Sequence, residues 1–285
     1  MSDGYGTLYL CATPIGNLGD MTFRAVETLK KVSLIAAEDT RHTRKLTSYF
    51  DIHVPLTSYH EHNKKTKGPE LVSKLLAGQD IALVSDAGLP GISDPGEDLV
   101  RLAIRSDISV IPIPGACAAL TALMASGLST GGFQFVGFLP KAGAARRKRL
   151  QELRSVPETL LFYESPHQLI KALEDLLAVL GDRQAVIGRE LTKLHEEFRR
   201  AAISELIGLF RQNPPRGEFV IVVAGSDGGP DLPEQAPKEI TDETIRQEIE
   251  LRMAAGANKK DAIRMIASQW GLSRRRVYQL ALDSG

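Results

Sequence analysis

Ser85–Gly96 reads SDAGLPGISDPG: three Gly, two Pro and two Asp in twelve residues, directly after the apolar run IALV. A loop of this make-up is suited to holding a small ligand. Glycine permits close backbone approach, proline stiffens the loop, and Asp86 and Asp94 supply acceptors. Open α/β sheets bind ligands at the carboxyl ends of their strands, which is where this loop falls. Thr13–Asp20 (TPIGNLGD) and Pro114–Ala118 (PGACA) are built alike and also follow apolar runs, so three loops can line one cleft. None has the spacing of a P-loop or of GxGxxG, which disfavours nucleotide-phosphate and ordinary dinucleotide binding and leaves another small adenosine-containing ligand open. His60 and His62 lack the further ligands a metal site needs, so no metal is expected.

Basic residues form a second signal. Lys141–Arg154 holds Lys141, Arg146, Arg147, Lys148, Arg149 and Arg154 against the single acid Glu152, a run able to neutralise phosphates without reading bases. Smaller clusters are Arg41, Arg44 and Lys45, and Lys64, Lys65 and Lys67. Over the whole chain 35 Lys and Arg balance 35 Asp and Glu, so no long-range field gathers polyanions and any nucleic-acid contact must be local.

The elements that position these residues follow from periodicity. Thr7–Ala12, Ser33–Ala37, Asp80–Ser85 and Ser109–Ile113 read as strands with helical patterns between them, the rhythm of a mainly parallel sheet. One such helix is Thr22–Lys31, with Phe23, Val26 and Leu29 at helical spacing. Gln134–Phe138, Thr159–Tyr163, Gln184–Arg189, Glu197–Ala202 and Glu218–Ala224 read as further strands. Helices fit at Ala144–Arg154, His167–Leu180 and Ser204–Gln212, and so few helices among these strands predict a mixed sheet. Ile108–Pro140 carries no charge, but Pro112, Pro114 and Gly115 break it early and Gly127, Gly131 and Gly132 late, leaving strand, turn, buried helix and strand instead of a membrane span. Ser226–Lys238 has three Pro and two Gly in thirteen residues and reads as a linker. Thr241–Ala255, Asn258–Gln269 and Ser273–Leu282, the last N-capped by Ser273, suggest a helix-turn-helix-like unit whose Arg274, Arg275 and Arg276 open the final helix. That unit holds nine basic and seven acidic residues over 238–285, so its basicity is local. The expected organisation is two α/β domains, 1–114 and 115–226, a linker over 227–236, and an all-α unit over 237–285. Cys11 and Cys117, both in apolar segments, suit a reducing compartment. No signal peptide is visible at the N-terminus, so a cytoplasmic protein is expected.

TPIGNLGDM, AAEDTRHTRKL, LVSDAGLPGISDPG, PGACAALTAL, GFLP, FYESPH, RELTKLHEE and GEFVIVVAG, in this order over about residues 5 to 225, resemble the tetrapyrrole methylase superfamily, in its branch acting on ribosomal RNA. The C-terminal helical unit is also like that branch. One departure is Gln168, where an arginine is expected after the SPH of FYESPH. The resemblance implies a homodimer that binds S-adenosylmethionine in a cleft between two α/β domains. It implies methylation of the ribose 2′-hydroxyl of a cytidine in the decoding region of 16S ribosomal RNA, free or in the small subunit. By motif match the cofactor meets Pro14, Asp86, Ala87, Gly88, Ile92, Ala116 and Cys117, and Tyr163, Leu191 and Ala224 from the second domain.

Methyl transfer to oxygen needs in-line placement of the partners. A ribose hydroxyl also needs a nearby base, or a cation that stabilises the alkoxide. Glu38, Asp39 and Arg41, then Glu164 and His167, then Glu190 and Lys193 each follow a predicted strand and form the candidate set. Two other readings compete: carbon methylation of a tetrapyrrole such as a corrin precursor, and a nucleic-acid-binding regulator with an α/β ligand sensor. The basic run and the helical unit weigh against the first. Removing residues 237–285 separates the second, since a regulator would then lose all function.

Overall fold

The computed structural model describes residues 4–141 and 143–226, scattered helical positions between 242 and 253, and residues 258–270 and 273–282. Two compact units result, Met1–Asp227 and Gly228–Gly285. The predicted linker over 227–236 lies outside the described residues, as do the bounds of the predicted helix over 241–255.

The first half of the larger unit is a parallel sheet of order β3-β2-β4-β1-β5, with β1 Leu8–Cys11, β2 Leu34–Ala37, β3 Leu56–Ser58, β4 Ile81–Val84 and β5 Val110–Ile113. All four residues of β4 are buried, as expected of a parallel strand covered on both faces. Helices α1 Phe23–Lys31, α2 Thr40–Tyr49, α3 Lys64–Leu76 and α4 Gly96–Arg105 connect the strands. Thr22 caps α1 by accepting from the Ala25 N–H at 3.1 Å. The buried stripe of α1 is Ala25 and Leu29, whereas Phe23 is 91% exposed and does not belong to the apolar face predicted for it. Three-residue β3, not anticipated from the sequence, is an edge strand too short to show a period. Pro112 sits in β5 at the opposite edge. Ser109 and Ile113 accept from Leu8 of β1 and from Ala12 just after it, so alternation turns Pro112, which has no N–H, outward.

The second half is a mixed sheet of order β6-β7-β10-β8-β9, with β6 Phe133–Phe138, β7 Thr159–Glu164, β8 Gln184–Arg189, β9 Glu197–Ala202 and β10 Phe219–Val223. β6 and β7 are parallel, and the other pairs antiparallel. Helix α5 Ala118–Ser126 packs on β7, β8 and β10, while α6 Gly143–Glu152, α7 Leu169–Leu180 and α8 Ile203–Gln212 lie with the other core cluster. The uncharged stretch thus resolves into β5, α5 and β6. Among the described residues no helix is long and apolar enough to cross a membrane.

In the second unit α9 Lys259–Trp270 and α10 Arg274–Leu282 pack together, burying Ile263, Ile266, Val277 and Leu280 with Ile245 and Ile249. Asn258 caps α9 through Asp261 N–H at 2.9 Å, and the Arg276 N–H donates to Ser273 Oγ at 3.3 Å, the cap predicted for the last helix.

Candidate functional site

The carboxyl ends of β1, β2, β4 and β5 and those of β6, β7 and β8 border one cavity of about 460 Å³, a volume suited to a small ligand. Three Gly/Pro-rich loops do converge, as their positions after strands predicted. Thr13 and Gly88 exchange backbone hydrogen bonds of 2.9 and 3.1 Å, tying the loop after β1 to that after β4. Gly88 has φ +82°, and a Cβ there would stand 3.4 Å from Ile15 Cγ2 and 3.5 Å from the Ala116 carbonyl. Only glycine gives that backbone conformation without strain. At Gly115, in the loop after β5, a Cβ would fall 2.7 Å from Ala12 Cβ. Asp94 accepts from Gly91 N–H at 2.8 and 2.9 Å and from Gly96 N–H at 2.7 Å, holding the loop closed on itself.

Carboxylates gather on the first-sheet side. Asp86 accepts from the Asp39 N–H at 3.0 Å, joining the loops after β2 and β4. Glu38 lines the cavity beside it. Burial, then the neighbouring Asp86 and Asp94 charges, push the Glu38 carboxyl above its ordinary pKa, against hydrogen bonding that lowers it. Asp39 instead faces outward: it caps α2 and binds Arg41 through Nε at 3.1 Å and Nη2 at 2.7 Å, which holds it well below the usual carboxylate range. Glu164 lines the cavity and accepts from the Ser165 N–H at 2.8 Å. His167 is exposed, and neither it, Asp39, Arg41 nor Lys193 is among the cavity-lining residues. Lys193 Nζ lies 2.9 Å from both Glu190 Oε1 and Glu218 Oε2. Burial alone would lower the lysine, but the two carboxylates outweigh it and hold it protonated. A Cβ on Gly16 would reach Lys193 Cγ at 2.4 Å, so this lysine packs on the loop after β1.

Side chains of the second sheet complete the walls. Tyr163 OH accepts from the Ala119 N–H at 3.3 Å at the start of α5, and burial, then Cys117, push its pKa up to about 12. Tyr163 also meets Phe135 and Phe138 edge to face. Leu191 and Val220 add apolar surface, and Ala87, Ile92 and Cys117 face them from the first-sheet loops. Pro14 and Ala116 stand next to lining residues without lining the cavity. Ala224 does not join the site. Its N–H donates to the Gln184 carbonyl at 2.9 Å, past the far end of β10, while the cavity lies at the Phe219 end of that strand. Leu89, Ser93, Phe138 and Glu218 through Val220 line the cavity without having been singled out, although GFLP and GEFV carried four of those positions.

The basic run divides. Arg146 is 4% exposed, its Nε 2.6 Å from Asp175 and its Nη1 donating to the Pro140 carbonyl at 3.0 Å, so it is removed from the expected phosphate-binding surface. Helical periodicity turns one residue of the run toward α7. Lys141, Arg147, Lys148 and Arg154 are exposed, and Arg149 pairs with Glu152 at 3.1 Å. Lys64 and Lys67 are paired with Asp98 and Glu70. In the second unit Arg276 binds Asp242 at 2.8 Å, and the side chains of Arg274 and Arg275 lie outside the described residues. Gln168 is exposed at the N-terminus of α7.

A cavity with apolar walls, a close-approach glycine and the carboxylates Glu38, Asp86 and Glu164 suits a ligand that is part apolar, part cationic. A sulfonium nucleoside has that chemistry: a flat base for the apolar wall and positive charge for the acids. The sequence profile of the Tetrapyrrole (Corrin/Porphyrin) Methylases matches residues 7–207. A protein of Halalkalibacterium halodurans named ribosomal RNA small subunit methyltransferase I is 50% identical over 98% of this chain and 95% of its own. The Synechocystis protein of that name is 50% identical over 98% of both chains. The Bacillus subtilis (strain 168) one is 47% identical over 96% of this chain and 93% of its own. In three dimensions, uroporphyrin-III-C-methyltransferase from Thermus thermophilus shares the fold at TM-score 0.54 and 19% identity, over 77% of this chain and 94% of that one. The chain belongs to the tetrapyrrole methylase family and is a methyltransferase that uses S-adenosylmethionine.

Proposed function

We propose that this chain methylates the ribose 2′-oxygen of a cytidine in the decoding region of 16S ribosomal RNA, acting as a cytoplasmic homodimer. The observation that carries this reading is the 50% identity to relatives named for small-subunit ribosomal RNA, which runs through 98% of the chain and so includes the helical unit. The exposed Lys141, Arg147 and Lys148 on and beside α6 supply phosphate contacts that set the register of the RNA. Arg149, Arg274 and Arg275 extend that set.

S-adenosylmethionine, when bound, supplies an electrophilic methyl group. The protein's own work is to orient the acceptor, keep water out and take a proton. We assign Glu38 as the proton acceptor: of the seven candidates it and Glu164 line the cavity, and its raised proton affinity suits a base better than an ordinary carboxylate. Glu164 is engaged by Ser165, and Lys193 is neutralised by two acids, which leaves it to anchor the loop after β8 against Gly16. Ile15, Leu191 and Val220 exclude water, which strengthens the charge interactions within.

Incubation with methyl-labelled cofactor and either small subunits or naked 16S RNA, followed by nucleoside mass spectrometry, tests the assignment. The expected product is 2′-O-methylcytidine. Label in a base, or transfer only to a uroporphyrinogen or precorrin offered in parallel, would sink it.

A further inference from the structure

Phe138 lies at the cavity wall with 60% of its surface exposed. Its orientation is the product of a local irregularity. Along β6, Phe135 pairs with Leu161 and Phe138 with Tyr163, with a register shift between Phe135 and Gly137. In a regular strand residues three apart point to opposite faces, so Phe138 would join Val136 on the side of Leu160 and Phe162. The inserted residue reverses this. Phe138 comes onto the same face as Phe135, both edge-on to Tyr163 with centroids 5.6 and 5.1 Å away, and Leu139 fills the core instead. The bulge requires Gly137 at φ +71°, where a Cβ would meet Ser93 Oγ of the opposite wall at 3.2 Å. Ser93 is itself left-handed at φ +64°. Bulges next to active sites characteristically re-aim a side chain. Here the chain takes a large aromatic out of a core position, at the expense of apolar exposure, and sets it at the opening of the site with two left-handed residues in contact behind it.

We infer that Phe138 is the platform on which the acceptor nucleobase stacks once it is splayed out of the RNA. The inference rests on the ribose-methylation reading. Bases presented for chemistry leave their own stack, and aromatic side chains replace the lost contact with little regard to sequence. Tyr163, edge-on and fixed through Ala119, stiffens the platform. A base held there would bring its ribose to the cavity that Glu38 lines.

Phe138→Leu, Phe138→Ala and Phe138→Trp test this, with KM for the RNA substrate, kcat, cofactor affinity and thermal melting measured on each full-length chain. Stacking strengths predict that the leucine and alanine variants raise KM for RNA roughly 10- to 100-fold. Cofactor affinity should fall far less than RNA affinity, melting should stay close to the parent, and tryptophan should recover most of the loss. A leucine variant as active as the parent, or a loss of cofactor affinity matching the loss for RNA, overturns the stacking role while leaving the methylation reading intact. Failure of the parent chain to methylate any RNA overturns both.

Discussion

The two sheets build facing walls of one cavity by different means. The first, all parallel, presents loops: Gly88 at a left-handed angle, Asp94 folding its own turn, Asp86 joining two loops. The second, mostly antiparallel, presents side chains from strand ends, Phe138, Tyr163 and Val220, with Leu191 from the turn after β8. The reason is topological. A parallel strand must be followed by a crossover, so its carboxyl end carries a loop; in the second sheet β10 runs antiparallel to β7 and β8 and brings Phe219 and Val220, at its amino end, to the rim beside their carboxyl ends. Backbone shapes the first wall and side-chain chemistry the second, so substitutions should act differently on the two.

The largest expected effect is on the first wall. Glu38→Gln should lower kcat by about 100- to 10,000-fold, as loss of a general base does, an effect far larger than any on cofactor affinity. The same variant should melt at a higher temperature than the parent at neutral pH. Glu38 binds its proton more tightly folded than unfolded, so its ionised form opposes folding above the folded pKa, and that penalty vanishes below the ordinary carboxylate range. Melting curves from pH 4 to 8 read this directly, and an unstable, fully active variant would remove Glu38 from the mechanism.

Next comes the side behind the second wall. Arg146→Met should cost about 3 kcal/mol in denaturant unfolding, since it breaks a largely buried pair. Burial alone would raise Asp175, but Lys171 and Arg146 outweigh it and hold its carboxyl below the usual range. The stability this contributes is present above the ordinary carboxylate pKa and is lost as pH falls toward the lowered one, so the variant should lose less than the parent on acidification. Gly88→Ala should cost about 1–2 kcal/mol in backbone strain, seen as reduced melting or, if the loop shifts to relieve it, as cofactor affinity lower by roughly tenfold in calorimetry. Smallest is Arg147→Ala, on the exposed face one residue from Arg146. It should change stability by less than about 0.5 kcal/mol and reduce the salt slope of RNA binding by about one. Equal stability losses at Arg146 and Arg147 would contradict the division of that helix.

What could be read from the sequence follows the same divide. Gly88, Gly91 and the paired prolines announce a ligand loop because their backbone freedom and stiffness are properties of residue type. Nothing local marks Val220 or Leu191 as wall instead of core, since both are apolar residues of strand or loop that serve either purpose; the motif match named Leu191 and passed over Val220. Ala224 shows the limit of motif transfer, for strand β10 carries it away from the cavity that Phe219 borders. Arg146 was indistinguishable from Arg147 until the facing Asp175 was known. Phe138 could not be placed by period, because one extra residue at Gly137 reverses the strand's alternation. Glu38 and Asp39 are adjacent acids of opposite fate, separated by which of them caps a helix.

Pro112 has a meaning beyond its own strand. A sheet edge with free N–H and C=O groups is a template for further strands, and each edge in this unit is blunted differently. β3 stops after three residues, β5 carries Pro112 with no hydrogen to offer outward, β6 is kinked by its bulge, and β9 bears Arg199 and Arg200. These devices disfavour the addition of further strands at the edges of the two sheets and so guard against edge-to-edge aggregation.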